Sequence, residues 1–351
     1  MGLKILHSAD WHLDSAFASF SEAQRQSLKA ALRQIPGKIA DLCRKESCDL
    51  VLLSGDLFDG AATRESIELV RQALKSCVVP VFVSPGNHDF CSDGSPWLEE
   101  SWPENVKVFT GALESVVLPE LDCRVYGAGY KSMDCPALLE NFHAEGTEKY
   151  QIAVLHGDPV MSNSPYCPIT AAQVRNSGLD YLALGHIHKA GAFRAGETLC
   201  AWPGCPMGRG WDELGEKGCC IVTLKDTAEL QPVVMDTLRF FEEELDIGRD
   251  AAAALEGFLP AAGSNDFYRI SLTGCGDVDM DKLKMQLAKW PNVELRDRTE
   301  APVDIWEDVG DDSLRGVYFR MLQQIAGSDP NAVLAAEISR KLLEGREVRL
   351  P

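Results

Sequence analysis

Positive charge is scarce in this chain: 34 lysines and arginines face 53 aspartates and glutamates over 351 residues, a net charge of −19. That balance argues against a free-standing nucleic-acid binder, which needs a basic surface to neutralise phosphates. It does not exclude an enzyme acting on nucleic acid, because bound cations or a basic partner can supply the missing positive charge. Long apolar runs are also missing. No stretch reaches the roughly 18 residues that span a bilayer, and the run after Met1-Gly2 is too short for a signal peptide. Leu6 stands where a myristoylation signal takes Ser or Thr. The chain is therefore expected to be cytoplasmic, with no membrane partner. None of the twelve cysteines forms a Cys-x-x-Cys pair, which removes the usual zinc-ligand spacing. Cysteines such as Cys43, Cys77, Cys123 and Cys220 lie in or beside apolar runs and read as free buried thiols.

Histidine is sparse too, and its distribution is informative. Five of the seven histidines fall in short blocks that follow apolar runs: Asp10-Trp11-His12, Gly55-Asp56-Leu57-Phe58-Asp59, Gly86-Asn87-His88-Asp89, His156-Gly157 and Gly185-His186-Ile187-His188. Each block alone has an ordinary reading, as a solvated pair, an N-capping aspartate or a histidine satisfied at a strand end. Their conjunction points to a dinuclear metal site that hydrolyses phosphate esters. Carboxylate and imidazole together suit manganese, iron or zinc. Asp56 has two oxygens with which to bridge two ions, and Asn87 offers an uncommon carbonyl ligand. His88 is expected to face the scissile phosphate as proton donor or charge stabiliser, with Asp89 fixing its tautomer. Asp59 is expected behind the ligands, orienting one of them or a water. His7 and His143 match no ligand position.

The pattern predicts strands at 3–7, 50–53, 78–83, 152–155 and 181–184, each a short apolar run bounded by Gly, Asp or Pro. Helical patterns cover 22–45, broken at Pro36-Gly37, and 64–75; Thr170 starts a third, with Gly178 as its stop. The alternation implies a largely parallel sheet covered by helices, with all five blocks at one sheet edge, where crevices form in open α/β sheets. From 198 to about 236 the chain reads as β-rich, including 219–224 and 230–235. A β-α-β unit follows (267–272, 279–290, 293–296), then an acidic turn-like stretch at 307–312 and two helical patterns, 314–325 and 332–343.

On these blocks the chain resembles the calcineurin-like metallophosphoesterase superfamily, whose Asp-x-His, Gly-Asp-x-x-Asp, Gly-Asn-His-Asp, His and Gly-His-x-His series is complete between residues 10 and 188. The resemblance implies an α/β sandwich of two sheets flanked by helices, with a small α/β cap domain and C-terminal helices. The domains are expected at 1–238, 239–304 and 305–351. By matching positions, one ion takes Asp10, His12, Asp56 and His188, and the other takes Asp56, Asn87, His156 and His186. A water or hydroxide between the ions would be the nucleophile, and ions roughly 3.5–4 Å apart would clamp an in-line displacement. His88 would act on the leaving-group side.

Within the superfamily, Ile5-Leu6-His7-Ser8-Ala9-Asp10-Trp11-His12-Leu13-Asp14 resembles the start of the SbcD-type exonuclease branch. Leu13-Asp14-Ser15-Ala16-Phe17 is more similar to shorter YhaO-like bacterial members. Protein phosphatases carry an arginine shortly after the second block, where this chain has Gly60-Ala61-Ala62. The resemblance implies a DNA substrate, manganese, and an SMC- or ABC-like ATPase partner with a coiled coil, bound by the C-terminal helices. Packing of those helices onto the cap domain is the competing expectation. A homodimer through the helix after Phe17 or the one near Arg64 is implied by resemblance alone. Two other functions stay open: a phosphodiesterase for small molecules or nucleotides, and a non-catalytic subunit of an ATPase complex.

Overall fold

Leu50–Leu53 (β2) is apolar throughout and Leu3–Ser8 (β1) carries apolar residues on both faces, and both strands are covered on both sides. Successive side chains of a strand point to opposite sides. Leu6, Val51 and Leu53 therefore enter a core beneath helices, while Ile5, Leu50 and Leu52 enter a second core between two sheets. Covered strands of this kind read as continuous apolar runs rather than alternating ones. A computed structural model describes residues 2–235, 237–248, 250–259, 264–276, 278–300 and 304–345.

Among the described residues, the first sheet continues through β3 (Val81–Val83) and β4 (Val106–Val108), all parallel to β1 and β2. The second sheet holds β5 (Glu114–Leu118), β6 (Cys123–Gly127), β7 (Tyr150–His156), β8 (Tyr181–Gly185), β9 (Gly191–Ala195) and β10 (Thr198–Trp202). Its order is β5-β6-β7-β8-β10-β9, with the outer strands antiparallel to a parallel middle. Then β11 (Gly218–Leu224) and β12 (Ala228–Val234) return to the first sheet and complete the order β12-β11-β1-β2-β3-β4. Phe82, Val125, Ile152, Val154 and Val222 fill the space between the sheets. The five blocks thus lie at the strand ends of two facing sheets, three on the first and two on the second, rather than along one edge. Periodicity finds strands but does not assign them to sheets.

Helices α1 (Glu22–Leu32), α2 (Ile35–Lys45) and α3 (Arg64–Ser76) cover the outer face of the first sheet. The predicted break at Pro36-Gly37 falls instead at Arg33-Gln34. Proline is tolerated in the first helical turn, where its missing N–H costs nothing, so Pro36 opens α2. Ser21 caps α1 in a reciprocal box with Gln24, worth about 1 kcal/mol. The predicted strand at 78–83 begins three residues late: Val78 has φ +64° and is 81% exposed. Two further helices follow, α4 (Pro96–Glu99) and α5 (Ala171–Asn176); α5 is capped by Thr170, and Gly178 lies just past its end with φ +71°. Eleven of the twelve cysteines are buried as free thiols, as their apolar settings suggested.

By compactness the chain divides into two units, the first comprising Met1–Glu242, Ala262–Arg269 and Trp290–Glu294, the second Glu243–Ala261, Ile270–Lys289 and Leu295–Pro351. The predicted β-α-β segment is longer than its sequence pattern suggested. Strand β13 (Phe240–Asp246) and helix α6 (Ala251–Phe258) precede β14 (Phe267–Thr273), α7 (Met280–Gln286) and β15 (Val293–Asp297), with strand order β13-β14-β15. In the second unit, α8 (Leu314–Ile325) and α9 (Pro330–Leu343) are joined by Tyr318 Oη and Ser339 Oγ at 2.7 Å. Arg340, buried, pairs with Glu307, Asp308 and Glu344. Residues 346–351 of the predicted C-terminal region lie outside the described residues. Among the described residues, no helix is long and apolar enough to cross a membrane.

Candidate metal centre

The parallel pairing of β1 with β2 does not stop where the strands stop. Asp10 N–H donates to Gly55 O (3.0 Å), His12 N–H to Asp56 O (2.9 Å) and Leu13 N–H to Leu57 O (2.9 Å). The first two blocks are thereby joined along their backbones, with Trp11 fully buried beneath them. This pairing requires unusual conformations. Asp10, His12 and Asp56 have φ of +54°, +49° and +52°, and His186 has +99°. Each left-handed residue costs of order 1–3 kcal/mol and persists only where its surroundings hold it. The side chains retained at that cost all face one another.

Their donor atoms form two sets around Asp56. On one side, His12 Nε2 and His188 Nε2 are 3.1 Å apart, His188 Nε2 is 4.0 Å from Asp10 Oδ1, and His12 Nε2 is 3.8 Å from Asp56 Oδ2. On the other, Asn87 Oδ1 lies 2.9 Å from His156 Nε2 and 3.2 Å from His186 Nδ1, and His156 Nε2 is 3.4 Å from Asp56 Oδ2. All seven predicted ligand side chains are therefore brought together. Close approach depends on two glycines. A Cβ at Gly86 would strike Asp56 Oδ1 and the His156 ring, and one at Gly185 would strike Ser54 O.

The electrostatics are those of a cation site. Burial pushes Asp10 up to about 8, aided by Asp56 and opposed by His188. Burial likewise lowers His12 to about 4, His156 to about 3 and His186 to about 4, so these rings are neutral and present lone pairs. His156 donates from Nδ1 to Ser54 O at 2.9 Å, which leaves Nε2 as its acceptor. Buried carboxylates together with neutral imidazoles and an amide oxygen lack the positive charge that burial requires. Mixed oxygen and nitrogen donors of this kind fit divalent transition-metal ions.

Behind the clustered donor atoms, two aspartates do different work. Asp59 Oδ1 is 2.9 Å from His88 Nδ1 and Oδ2 accepts from Ser15 Oγ at 2.7 Å. The His12 and His88 imidazoles, 3.7 Å and 2.9 Å from Oδ1, hold Asp59 well below the usual carboxylate range. Asp89, expected to fix His88, turns inward instead and accepts the backbone N–H groups of Gly86, Asp56, Leu57 and Phe58. Burial, with Asp56 nearby, raises Asp89 to about 7 against those donors. It ties the second block to the third, and Asp59 is the residue that sets the His88 tautomer. His88 is raised above its ordinary value, chiefly by that hydrogen bond. His7 spends both ring nitrogens on Tyr181 and Ser54, and His143 lies on the surface against Asn176 O.

Two residues of the site had no signal in the sequence. Glu213 Oε1 lies 2.5 Å from His188 Nδ1, and its Oε2 accepts the Arg209 backbone N–H at 2.7 Å. Burial alone would raise Glu213, but His188 and the Arg209 charge outweigh it and hold the carboxylate at about 2. The Arg209 guanidinium reaches Glu213 Oε1 (3.2 Å), Ser15 Oγ (3.4 Å) and Asp59 Oδ2 (3.8 Å). Both residues sit in a stretch rich in Gly and Pro, more than twenty residues beyond His188, where no periodicity marks a buried acid.

Residues 3–190 match the family model for calcineurin-like phosphoesterases. The chain is 34% identical over 241 residues to the metallophosphoesterase YhaO of Bacillus subtilis, a match spanning 63% of this chain and only 57% of YhaO. It is 22% identical over 331 residues to the SbcD component of the nuclease SbcCD of Staphylococcus epidermidis, covering 83% of this chain and 84% of that one. A third relative, the 3',5'-cyclic adenosine monophosphate phosphodiesterase CpdA of Haemophilus influenzae, is 25% identical over 275 residues, 72% of this chain and 89% of CpdA. The matched segment contains all seven clustered side chains, and the chain belongs to the calcineurin-like phosphoesterase family.

Proposed function

We propose that this chain is a metal-dependent phosphodiesterase that cleaves DNA as an exonuclease, an endonuclease or both, in DNA repair in the cytoplasm. The observation that carries the reading is the convergence of two donor sets on a shared Asp56. One divalent ion would be held by Asp10, His12, Asp56 and His188, and the other by Asp56, Asn87, His156 and His186, with manganese the expected metal. When bound, such ions supply charge to the phosphoryl oxygens and acidify a water. The chain's own residues do the rest. His88, 43% exposed at its side chain, offers its outer nitrogen to the leaving oxygen while Asp59 holds Nδ1. Arg209 adds positive charge beside Asp59, and Asp89 keeps the turn bearing Asp56 in place.

Similarity to the SbcD component of the SbcCD nuclease over 83% of the chain supports DNA as substrate. Similarity to CpdA supports the rival, a small cyclic or monomeric nucleotide. An ATPase partner with a coiled coil fits the exposed apolar stripe of α8, where Leu314, Val317, Met321 and Ile325 are 41–87% exposed. Homodimerisation through α1 or α3 belongs to the same proposal.

The test is manganese-dependent cleavage of end-labelled single- and double-stranded DNA beside a bis-aryl phosphodiester, with His88→Ala as control. DNA cleavage that is lost in the variant is the expected result, and the labelled products give polarity. Cleavage of cyclic nucleotides in preference to DNA would overturn the DNA reading in favour of the small-substrate one.

A second expectation concerns Glu213. Carboxylates that orient a ligating imidazole typically contribute 10–100-fold in metal affinity. Glu213→Gln should weaken manganese binding by about that factor in calorimetry, with hydrolysis largely restored at saturating manganese. Unchanged affinity would mean that His188 keeps its orientation without Glu213.

A further inference from the structure

Two grooves open beside the candidate metal centre, one past His88 and one past His188, and their linings differ in charge. The His88 groove carries Asp93, Glu99 and Glu100, with Arg64 already paired to Glu100. The His188 groove, about 540 Å³, is lined by Lys189 and Lys217 with a single carboxylate, Glu216. Among the described residues neither lysine forms an ion pair. In a chain of net charge −19, the lysines of this lining outnumber its carboxylates two to one. The groove floor is apolar. Trp202 lines it, with Leu214 and Val234 40% and 55% exposed. The Trp202 indole donates to Lys189 O at 2.9 Å, and a side chain at Gly191 would collide with its ring. The turn that carries Lys189 directly after His188 is therefore moulded onto Trp202.

We propose that this groove holds the nucleotides of a DNA strand next to the scissile phosphate, with bases against the apolar floor and backbone phosphates at Lys189 and Lys217. The inference deepens the DNA reading above and rests on it. Aromatic and apolar floors flanked by cations accept single strands without regard to sequence, because every base has a π-face. The groove past His88 repels a polyanion with its carboxylates, so the strand continues on the His188 side.

The test is competitive inhibition of bis-aryl phosphodiester hydrolysis by a short single-stranded phosphorothioate oligonucleotide, which requires no partner for DNA cleavage. The double variant K189E/K217E is compared with K29E/K45E, which makes the same charge change on α1 and α2. The expected result is an inhibition constant at least tenfold higher in K189E/K217E, near wild type in K29E/K45E. The slope of its logarithm against log salt should fall by about 1.4, since each phosphate contact on a single strand contributes about 0.7. Equal inhibition of wild type and K189E/K217E would overturn the groove while leaving the DNA reading standing, as would an equal loss in both variants. A wild-type enzyme that hydrolyses the ester but is not inhibited by the oligonucleotide would overturn both.

Discussion

Asp56→Asn is expected to reduce hydrolysis of a bis-aryl phosphodiester by at least about 10³-fold, and to remove most of the melting-temperature rise that manganese gives the wild type. The substitution preserves shape. An asparagine oxygen can still accept the His88 N–H, which Asp56 Oδ1 takes at 2.9 Å, so the turn has no steric reason to collapse. What disappears is the negative charge shared by both donor sets, with Oδ2 3.8 Å from His12 Nε2 and 3.4 Å from His156 Nε2. Loss of bridging charge costs several kcal/mol of transition-state stabilisation, and each 1.36 kcal/mol is tenfold in rate. In the wild type, manganese at 100 times its dissociation constant adds about 2.7 kcal/mol of stability. For a domain of this size that is roughly 5–10 °C, readable by calorimetry with and without chelator. A variant that keeps more than a tenth of wild-type activity would place Asp56 outside the shared position. A full manganese shift with no activity would assign it to chemistry rather than binding.

The parts of this site legible in the sequence are those whose signal is local. β1, β2, β7 and β8 are short, mostly apolar runs because both faces are covered, and the candidate ligands lie at their ends or within a few residues beyond. The pairing of the first two blocks along their backbones is not local, and neither is the division of the strands between two sheets. β4 is three half-buried residues, and β5 is mostly exposed, so neither presents a pattern. Val78 reads as strand because it is β-branched and next to Val79, yet its left-handed turn places it in solvent. Asp89 and Asp59 show why adjacency misleads. Asp89 follows His88 directly, but four amides draw its carboxylate inward, whereas Asp59, 29 residues earlier, meets the imidazole. Glu213 and Arg209 define the far limit of legibility. Their importance lies in contacts to His188, Ser15 and Asp59, and nothing near them in sequence resembles a site.

His88→Ala should lower kcat on DNA by about 10²–10⁴-fold, the usual contribution of a general acid, while leaving manganese affinity near wild type. The loss should be smaller on a bis-aryl ester, because an aryl oxide departs without a proton and an alkoxide does not. The sign of the pH dependence follows from the hydrogen bond to Asp59. An acid must be protonated to act, so activity falls as pH rises through the His88 pKa. Asp59 raises that pKa by favouring the imidazolium. Asp59→Asn removes the favouring charge and should shift the alkaline limb of the kcat profile to lower pH relative to wild type. In His88→Ala that limb should vanish, leaving a low, flatter profile. A purely positional role for Asp59 would lower the whole profile without moving its limb. Equal losses on DNA and on the aryl ester in His88→Ala would mean that His88 stabilises charge on the phosphoryl oxygens and transfers no proton to the leaving group.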